Sequence, residues 1–310
     1  MRKKIMIAVD QSFHARNAIQ YAIQMAEVIK KVDFTLYHIQ PMISQYLVEE
    51  ALKQPKARAE LEEVNRKNKK ASQQLLEDCK SNMVSKGIEA GCIEMNSQPR
   101  DQGIAQDILK AAETGSYDAI IVGRRGISGL QELFMGSVTS NLLAGSNLIP
   151  IWVVDGVVKK QKVLVPVDGS TQSLRIVDHV AYIFSENRDV QLHFLNIEPR
   201  LGDYCEIDME ASQTMEIEKA LLIANEKCIA DFSAKAVGIL KKAGFGKDQI
   251  SFQTLKKQLF TAKAILETSK KEGFGTVVIG KTGADKSRQL GKVASQIIQK
   301  MSNGAVWVVP

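Results

Sequence analysis

Long apolar runs are missing from this 310-residue sequence, and their absence excludes whole classes of protein. No run approaches the length that spans a bilayer, and the apolar stretch near the start stops at Asp10, too early for a secretory signal. We therefore expect a cytoplasmic protein with no membrane partner.

Cysteine and histidine are also scarce, with four of each. The cysteines form no C-x2-C pair and have no histidine at metal spacing, which argues against zinc or dithiol chemistry and favours free thiols. The histidines form no catalytic motif, and neither G-x-S-x-G nor H-E-x-x-H occurs. We predict no metal site and no catalytic residues, and only His38 lies near the ligand site proposed below.

Aromatic residues make up only 6% of the chain, and the net charge of +6 comes with lysines scattered along helical stretches. A nucleic-acid groove is expected to combine a clustered basic face with stacking aromatic residues. The sequence therefore predicts a solvated charged surface and no nucleic-acid partner.

A repeat is what the sequence does contain. KKIMIAVDQS, beginning at Lys3, returns as KQKVLVPVDGS from Lys160, and VDFTLYHIQP from Val32 returns as VQLHFLNIEP from Val190. Later segments return in the same order. Two copies of one domain, 1–155 and 156–310, are the simplest interpretation.

Each copy alternates short β-branched runs with helical patterns, which predicts β-α-β units and a mostly parallel sheet. We expect two tandem doubly wound, Rossmann-like α/β domains with five strands each and helices on both faces. The predicted strands lie near 4–9, 33–39, 90–95, 117–122 and 149–154, and near 162–167, 190–196, 250–255, 274–279 and 305–309. The pattern of residues 45–86 predicts a loop followed by one long exposed helix, and that of residues 208–242 predicts its counterpart. Ser12 is placed to cap the first helix.

The segment after the fourth predicted strand of the first copy is the candidate ligand site. Gly123 and Gly126 let the backbone turn sharply and approach a ligand. Gly136 and Ser137 open the next helix, where free N–H groups and the helix dipole favour an anion such as phosphate. An ordinary strand-to-helix connection would explain the first two glycines equally well.

The carboxyl ends of parallel strands meet at one edge of a sheet, so Asp10 and Ile39 should lie near this segment. Asp10 is placed either to accept hydrogen bonds from a nucleoside or to cap a helix. Arg124 and Arg125 are placed either to pair with phosphate oxygens or to form an exposed turn. Ser137 is likewise placed to bond phosphate or to cap its helix.

The spacing Gly123-x2-Gly126-x9-Gly136-Ser137 resembles that of the universal stress protein family, whose ATP-binding members carry G-x2-G-x9-G-[ST]. The resemblance covers nearly the whole chain. It implies the adenine nucleotide alpha hydrolase-like fold, ATP as the ligand with or without magnesium, and a regulatory role in stress survival. It also implies an internal pseudo-dimer paired through the last strands, and it leaves a homo-dimer and an unidentified protein partner open.

The resemblance also assigns roles to residues. It favours Arg125 over Arg124, and it implies that Ile39 meets adenine through its main chain. The nucleotide-binding residues that it implies are Ala8, Val9, Asp10, Ile39, Val122, Gly123, Arg125, Gly126, Gly136, Ser137, Val138 and Thr139.

The second copy departs from this pattern. Gly280-x2-Gly283 is kept, but Gly291 follows after seven residues instead of nine, and Lys292 replaces Ser or Thr. We therefore expect weaker or absent nucleotide binding there. The equivalent residues of this copy are Val167, Asp168, Ile197, Gly280, Gly283 and Lys292.

Residues 275–282, GTVVIGKT, formally match the phosphate-loop pattern G-x4-G-K-[ST]. The middle residues, 276–279, are strand formers that align with 119–122 of the first copy. Their N–H groups would be bonded within a sheet and unable to hold phosphate. The sequence therefore predicts a strand here.

A nucleotide-responsive ATP-binding stress protein is the leading hypothesis, with at most weak ATPase activity. The enzyme alternative is slow ATP hydrolysis or nucleotidyl transfer in the same cleft. Related adenylate-forming folds carry a glycine-serine loop or paired histidines after the first strand, and V-D-Q-S supplies neither. A ligand-free interaction scaffold is the third hypothesis.

Overall fold

The computed structural model describes residues 2–125, 135–158, 162–201, 211–256, 258–282 and 290–310. The chain divides into two compact units, one made of 1–27 and 31–154 and the other of 28–30 and 155–310. Within these described residues, each unit contributes five strands, with helices between them.

The first unit begins with a strand and alternates strands with helices. Its elements are β1 Lys3–Ala8, α1 Phe13–Val28, β2 Val32–Gln40, α2 Gln45–Lys53, α3 Pro55–Ser85, β3 Ile93–Pro99, α4 Ile104–Thr114, β4 Ala119–Gly123, α5 Ser137–Gly145 and β5 Ile151–Asp155. The strand order is β3-β2-β1-β4-β5, and each neighbouring pair is parallel. The order therefore reverses between β1 and β4, which is the topological switch point of the unit.

The second unit repeats this plan. Its elements are β6 Val163–Val167, α6 Thr171–Ile183, β7 Leu192–Ile197, α7 Ala211–Lys242, β8 Ile250–Leu255, α8 Thr261–Glu272, β9 Thr276–Gly280, α9 Lys292–Lys300 and β10 Gly304–Val309. The order β10-β9-β6-β7-β8 is again parallel throughout, with the switch point between β6 and β9. The prediction of two tandem, doubly wound α/β copies with mostly parallel strands is confirmed, and each predicted strand lies within a few residues of the observed one.

Central and outer strands differ in burial as their sequences indicate. Every residue of β4 is buried, as expected for a parallel strand covered on both faces, whereas the outer strand β3 is mostly exposed. The rejected phosphate-loop match falls on β9, which pairs with β6 and β10. That prediction of a strand is confirmed, because the backbone N–H groups there belong to a sheet.

Residues 45–86 were predicted to form a loop followed by one long exposed helix. The long helix is observed as α3, but the loop prediction is wrong, because a second helix, α2, occupies 45–53. Gln54 separates α2 from α3 in an extended conformation, with φ −127° and ψ 125°, and Pro55 occupies the first turn of α3. Proline disfavours helical backbone at the residue before it and fits the first helical position itself. The break therefore follows from the Gln54-Pro55 dipeptide.

Candidate functional site

The switch point of the first unit lies where β1 and β4 end, next to Asp10 and Gly123. The N–H of Val9 donates to the carbonyl oxygen of Tyr37 at 2.9 Å, which continues the pairing of β1 and β2 by one residue. Ligands of doubly wound sheets bind outside the carboxyl ends of the strands at such a point. This edge of the sheet is the candidate functional site.

Gly123 allows the first turn of α1 to approach the end of β4. A Cβ atom at Gly123 would lie 2.7 Å from the backbone carbon and oxygen of His14. Backbone atoms cannot move aside as a flexible side chain can, so any side chain would push α1 away from β4. The structure therefore gives this glycine a packing reason, in addition to the turn that the sequence suggested.

Two hydrogen bonds tie the start of α5 to the end of β4. The hydroxyl of Thr139, which is 2% exposed, donates to the carbonyl oxygen of Gly123 at 2.8 Å. The N–H of Gly136 donates to the carbonyl oxygen of Arg124 at 2.9 Å. The Thr139 side chain therefore serves the fold at this point, whereas the resemblance assigned it to the ligand.

Gly136 is the N-cap of α5, with extended backbone, and the N–H of Ser140 donates to its carbonyl oxygen at 2.9 Å. Ser137 is the first helical residue and is exposed, so the capping role left open for it is not observed. The N–H groups of Ser137, Val138 and Thr139 precede the first intrahelical donor. They form the positive end of the helix dipole.

Asp10 and Ser12 share the turn between β1 and α1. A carboxylate oxygen of Asp10 accepts from the N–H of Ser12 at 2.9 Å, and the hydroxyl oxygen of Ser12 accepts from the N–H of Ala15 at 3.1 Å. The prediction that Ser12 caps α1 is confirmed. Two roles were left open for Asp10, capping the helix and contacting a nucleoside. Ser12 caps the helix, and Asp10 is half-buried at the end of the strand.

His38 contributes a contact that the sequence did not reveal. Its Nδ1 atom lies 2.8 Å from the carbonyl oxygen of Val9. A carbonyl oxygen can only accept, so Nδ1 carries the proton and donates. The adjacent Ile39 is 8% exposed at the end of β2. The only available signal was a histidine near the carboxyl end of a predicted strand.

The two arginines after β4 differ in exposure. Arg124 is 8% exposed, and its N–H donates to the carbonyl oxygen of Val154 at 2.8 Å, whereas Arg125 is half-buried. Gly126 lies outside the described residues. The site residues that the structure brings to the ends of β1, β2 and β4 and the start of α5 are Ala8, Val9, Asp10, Ile39, Val122, Gly123, Arg125, Gly136, Ser137, Val138 and Thr139.

The second unit repeats the backbone geometry at the end of β9. The N–H of Gly291 donates to the carbonyl oxygen of Lys281 at 2.9 Å, and the N–H of Ser295 donates to that of Gly291 at 2.9 Å. Lys281 is 5% exposed, and burial lowers its pKa. Lys292 is the first residue of α9 and is exposed, and Gly283 lies outside the described residues.

The turn after β6 is more heavily bonded than its counterpart in the first unit. A carboxylate oxygen of Asp168 accepts from the hydroxyl of Ser173 at 2.7 Å and from the N–H of Ser170 at 3.0 Å. Val167 ends β6 and Ile197 ends β7. The carboxylate of Asp168 is thus held by two donors within its own turn.

Gly280 repeats the packing role of Gly123. A Cβ atom there would lie 2.7 Å from the side-chain Cγ of Gln172, the counterpart of His14, and 2.9 Å from the carbonyl oxygen of Thr282. Ala294 stands where the first unit has Thr139, so the hydroxyl bond to the strand end has no counterpart. The backbone frame is shared, and the side chains around it differ.

Cys79, Cys92 and Cys228 are free thiols, and burial raises the pKa of Cys79 to about 11. In the described part of the chain, no three His, Cys, Asp or Glu residues are grouped so that they could hold a metal ion. Nor does any helix there combine the length and apolar character needed to cross a membrane.

Comparison with known proteins agrees with this architecture. The model of the universal stress protein family matches residues 1–155 and again 160–310. Universal stress protein YxiE from Bacillus subtilis is 27% identical over 156 residues, which are 50% of this chain and 99% of that protein.

A solved structure with the same fold covers nearly the whole chain. A universal stress protein from Archaeoglobus fulgidus is 18% identical, with 99% of this chain and 95% of that one covered and a TM-score of 0.61. A universal stress protein solved in complex with cAMP is 24% identical and covers 48% of this chain and 97% of its own, with a TM-score of 0.35. The chain belongs to the universal stress protein family and carries two copies of its domain.

Proposed function

We propose that the first domain binds ATP, with or without magnesium, and that the chain is a cytoplasmic, nucleotide-responsive protein of stress survival. The observation that supports this proposal most directly is the start of α5. There the N–H groups of Ser137, Val138 and Thr139 have no intrahelical partners, and they lie next to the switch point. Pairing of the domains through their last strands, a homo-dimer and a protein partner stay predictions.

The phosphate end of the proposed site is supported by charge and geometry. Aligned peptide dipoles and free N–H groups at a helix start favour an anion. Arg125 lies two residues after the end of β4 and is half-buried, so it adds a positive charge at this edge of the sheet. The spacing from Gly123 to Ser137 agrees with the family pattern over its whole length.

The nucleoside end is supported by the first two strands. Asp10 accepts from the N–H of Ser12 through Oδ1, and its other carboxylate oxygen is not part of that bond. The main chain of Ile39 lies near the end of β2, two residues beyond Tyr37, the last register partner of β1. A hydroxyl or an amine of a nucleoside would find acceptors at both places.

The second domain is proposed to bind nucleotide weakly or not at all. Lys292 places a flexible cationic side chain where the first domain has Ser137, and the gap before Gly291 is two residues shorter. Asp168 accepts from two donors, both through Oδ1, so its second carboxylate oxygen is outside these bonds, as it is in Asp10. The differences that support the proposal are therefore the lysine and the shorter connection.

Incubation of the full chain with ATP and magnesium, followed by separation and analysis of the bound nucleotide, tests the proposal. We expect one intact ATP per chain. Gly136→Val should abolish binding, because a branched side chain at the N-cap crowds the phosphate position, and Gly291→Val is the matched control that should leave binding unchanged.

The other outcomes decide between the hypotheses. Steady release of ADP or pyrophosphate would favour the enzyme alternative, and absence of any bound nucleotide would favour the scaffold. Equal binding by the wild type and Gly136→Val would show that the site is misplaced, provided that circular dichroism shows both proteins folded.

A further inference from the structure

A serine, a histidine and a glutamine contact one another on the sheet of the second unit, toward the amino ends of β7 and β8. The Oγ atom of Ser251 lies 2.8 Å from Nδ1 of His193, and Oε1 of Gln253 lies 2.9 Å from Nε2 of the same ring. Ser251 is the register partner of His193, and Gln253 is two residues further along β8. All three side chains therefore share one face of the sheet.

The bonds of this cluster define its protonation. The amide oxygen of Gln253 can only accept, so Nε2 of His193 carries the proton and donates. Nδ1 then holds a lone pair, which accepts the hydroxyl proton of Ser251. The carbonyl oxygen of Leu192, at 3.5 Å, is a much longer alternative acceptor for that hydroxyl. The ring of Phe274 lies 5.3 Å from the imidazole and packs against it.

The position of the cluster leaves the serine accessible. Ser251 is exposed, and β8 is the outermost strand of its sheet. The first unit has no such arrangement at the equivalent positions, where Thr35 and Glu94 are register partners joined by a 3.4 Å hydrogen bond. The cluster is therefore not required by the fold that the two units share.

A nucleophile within hydrogen-bond reach of a base that is itself oriented by a third group is the arrangement that activates serine for covalent chemistry. We propose that Ser251 accepts an acyl group from activated esters, with His193 as the general base and Gln253 as a positioning residue. This activity is independent of the nucleotide site.

The step conserves atoms and electrons. Oγ of Ser251 attacks the ester carbonyl carbon while Nδ1 of His193 takes the hydroxyl proton, and the bond from that carbon to the leaving oxygen breaks. The imidazolium then returns the proton to the departing oxygen, which leaves an acyl-serine and an alcohol or phenol. Neither oxidant nor reductant is needed.

Treatment of the full chain with p-nitrophenyl acetate tests the proposal. We expect release of p-nitrophenol together with a single acetyl adduct that peptide mass spectrometry places on Ser251. Ser251→Ala should remove the adduct. His193→Thr, which installs the first unit's residue, should slow acetylation about a hundredfold, the lower range of general acid–base catalysis.

Gln253 and an unrelated serine complete the experiment. Gln253→Leu should slow acetylation, and Gln253→Glu should restore it, because a carboxylate also accepts from Nε2, whereas a purely structural role would not depend on an acceptor. Ser85, an exposed serine whose hydroxyl donates to the carbonyl oxygen of Asn82, provides Ser85→Ala as the control without effect. Absence of the Ser251 adduct, or equal rates for wild type and His193→Thr, would overturn the proposal.

Discussion

At the end of β4 the N–H of Gly136 donates to the carbonyl oxygen of Arg124, and at the end of β9 the N–H of Gly291 donates to that of Lys281, both at 2.9 Å. The connecting chain is two residues shorter in the second domain, yet the strand end and helix start meet in the same way. The backbone frame of the switch point is thus a property of the fold. Side chains and loop length are what distinguish the proposed binding site from its counterpart in the second domain.

The side chains around the two frames differ in kind. The first domain places the small Ser137 and the buried hydroxyl of Thr139 at the start of its helix, and the second places Lys292 and Ala294 there. Conversely, the second domain has the cluster of His193, Ser251 and Gln253 on a face where the first has Thr35. The two domains thus share a backbone and differ in side chains at both places.

The largest expected effect comes from rebuilding the second site. Two residues inserted between Gly283 and Gly291, combined with Lys292→Ser, restore the family spacing and remove the cation from the helix start. We expect calorimetric titration with ATP to change from one site per chain to two. The same insertion with Lys292 retained is the control, and a stoichiometry that stays at one would show that the difference between the domains lies elsewhere.

The two packing glycines should differ in cost when substituted. Gly123→Ala brings Cβ against backbone atoms of His14, and we expect the free energy of unfolding to fall by about 2–3 kcal/mol, as in other overpacked sites. Gly280→Ala should cost about 1 kcal/mol less, because only one of its two closest contacts is with backbone, the carbonyl oxygen of Thr282, and the other is with the side chain of Gln172.

Tryptophan fluorescence reports these changes separately for the two units. The chain has two tryptophans, Trp152 in β5 and Trp307 in β10, and both are fully buried. Gly123→Ala is therefore measured by denaturant unfolding with Trp307→Phe as the background, and Gly280→Ala with Trp152→Phe. Equal costs would mean that the contacts of His14 and Gln172 do not control these positions.

A buried aromatic pair distinguishes the pH dependence of the two units. Tyr21 meets Trp152 edge to face in the first, and His179, its counterpart, meets Trp307 in the second. Burial lowers the pKa of His179 from 6.5 to about 3, so the unfolded chain binds this proton more readily than the folded chain. Its contribution to stability is complete above pH 6.5 and is lost as the pH falls toward 3.

His179→Tyr, which installs the first unit's residue, should remove this dependence. Between pH 7 and 5 we expect the wild type to lose about 2 kcal/mol of unfolding free energy from this group, at about 1.4 kcal/mol per pH unit. Denaturant unfolding at several pH values, followed through Trp307 in a Trp152→Phe background, measures the difference. Parallel pH profiles for wild type and variant would contradict the assignment.

Local signals made much of this architecture predictable from sequence. Apolar runs fixed the strands, and Gly123 and Gly136 marked the end of a strand and the start of a helix because turn chemistry depends on a few neighbouring residues. The contacts of His38 with Val9 were not predictable, since they join atoms that only strand register brings together. The break at Gln54 follows from the proline after it, whereas the preceding helix α2 lies where a loop was predicted.

Thr139 provides the smallest and most local test of the comparison. Thr139→Ala removes the hydroxyl that donates to the carbonyl oxygen of Gly123 and leaves that buried oxygen with one donor fewer, so we expect unfolding free energy to fall by about 1 kcal/mol. Thr139→Ser keeps the hydroxyl and should recover most of this loss. Ala294→Thr introduces the same hydroxyl beside Gly280. It should stabilise the second unit if the start of α9 leaves as much space for a side chain as the start of α5 does. A loss of stability in Ala294→Thr would mean that the residues around Ala294 pack too closely to accommodate a larger side chain, because overpacking a buried position is destabilising.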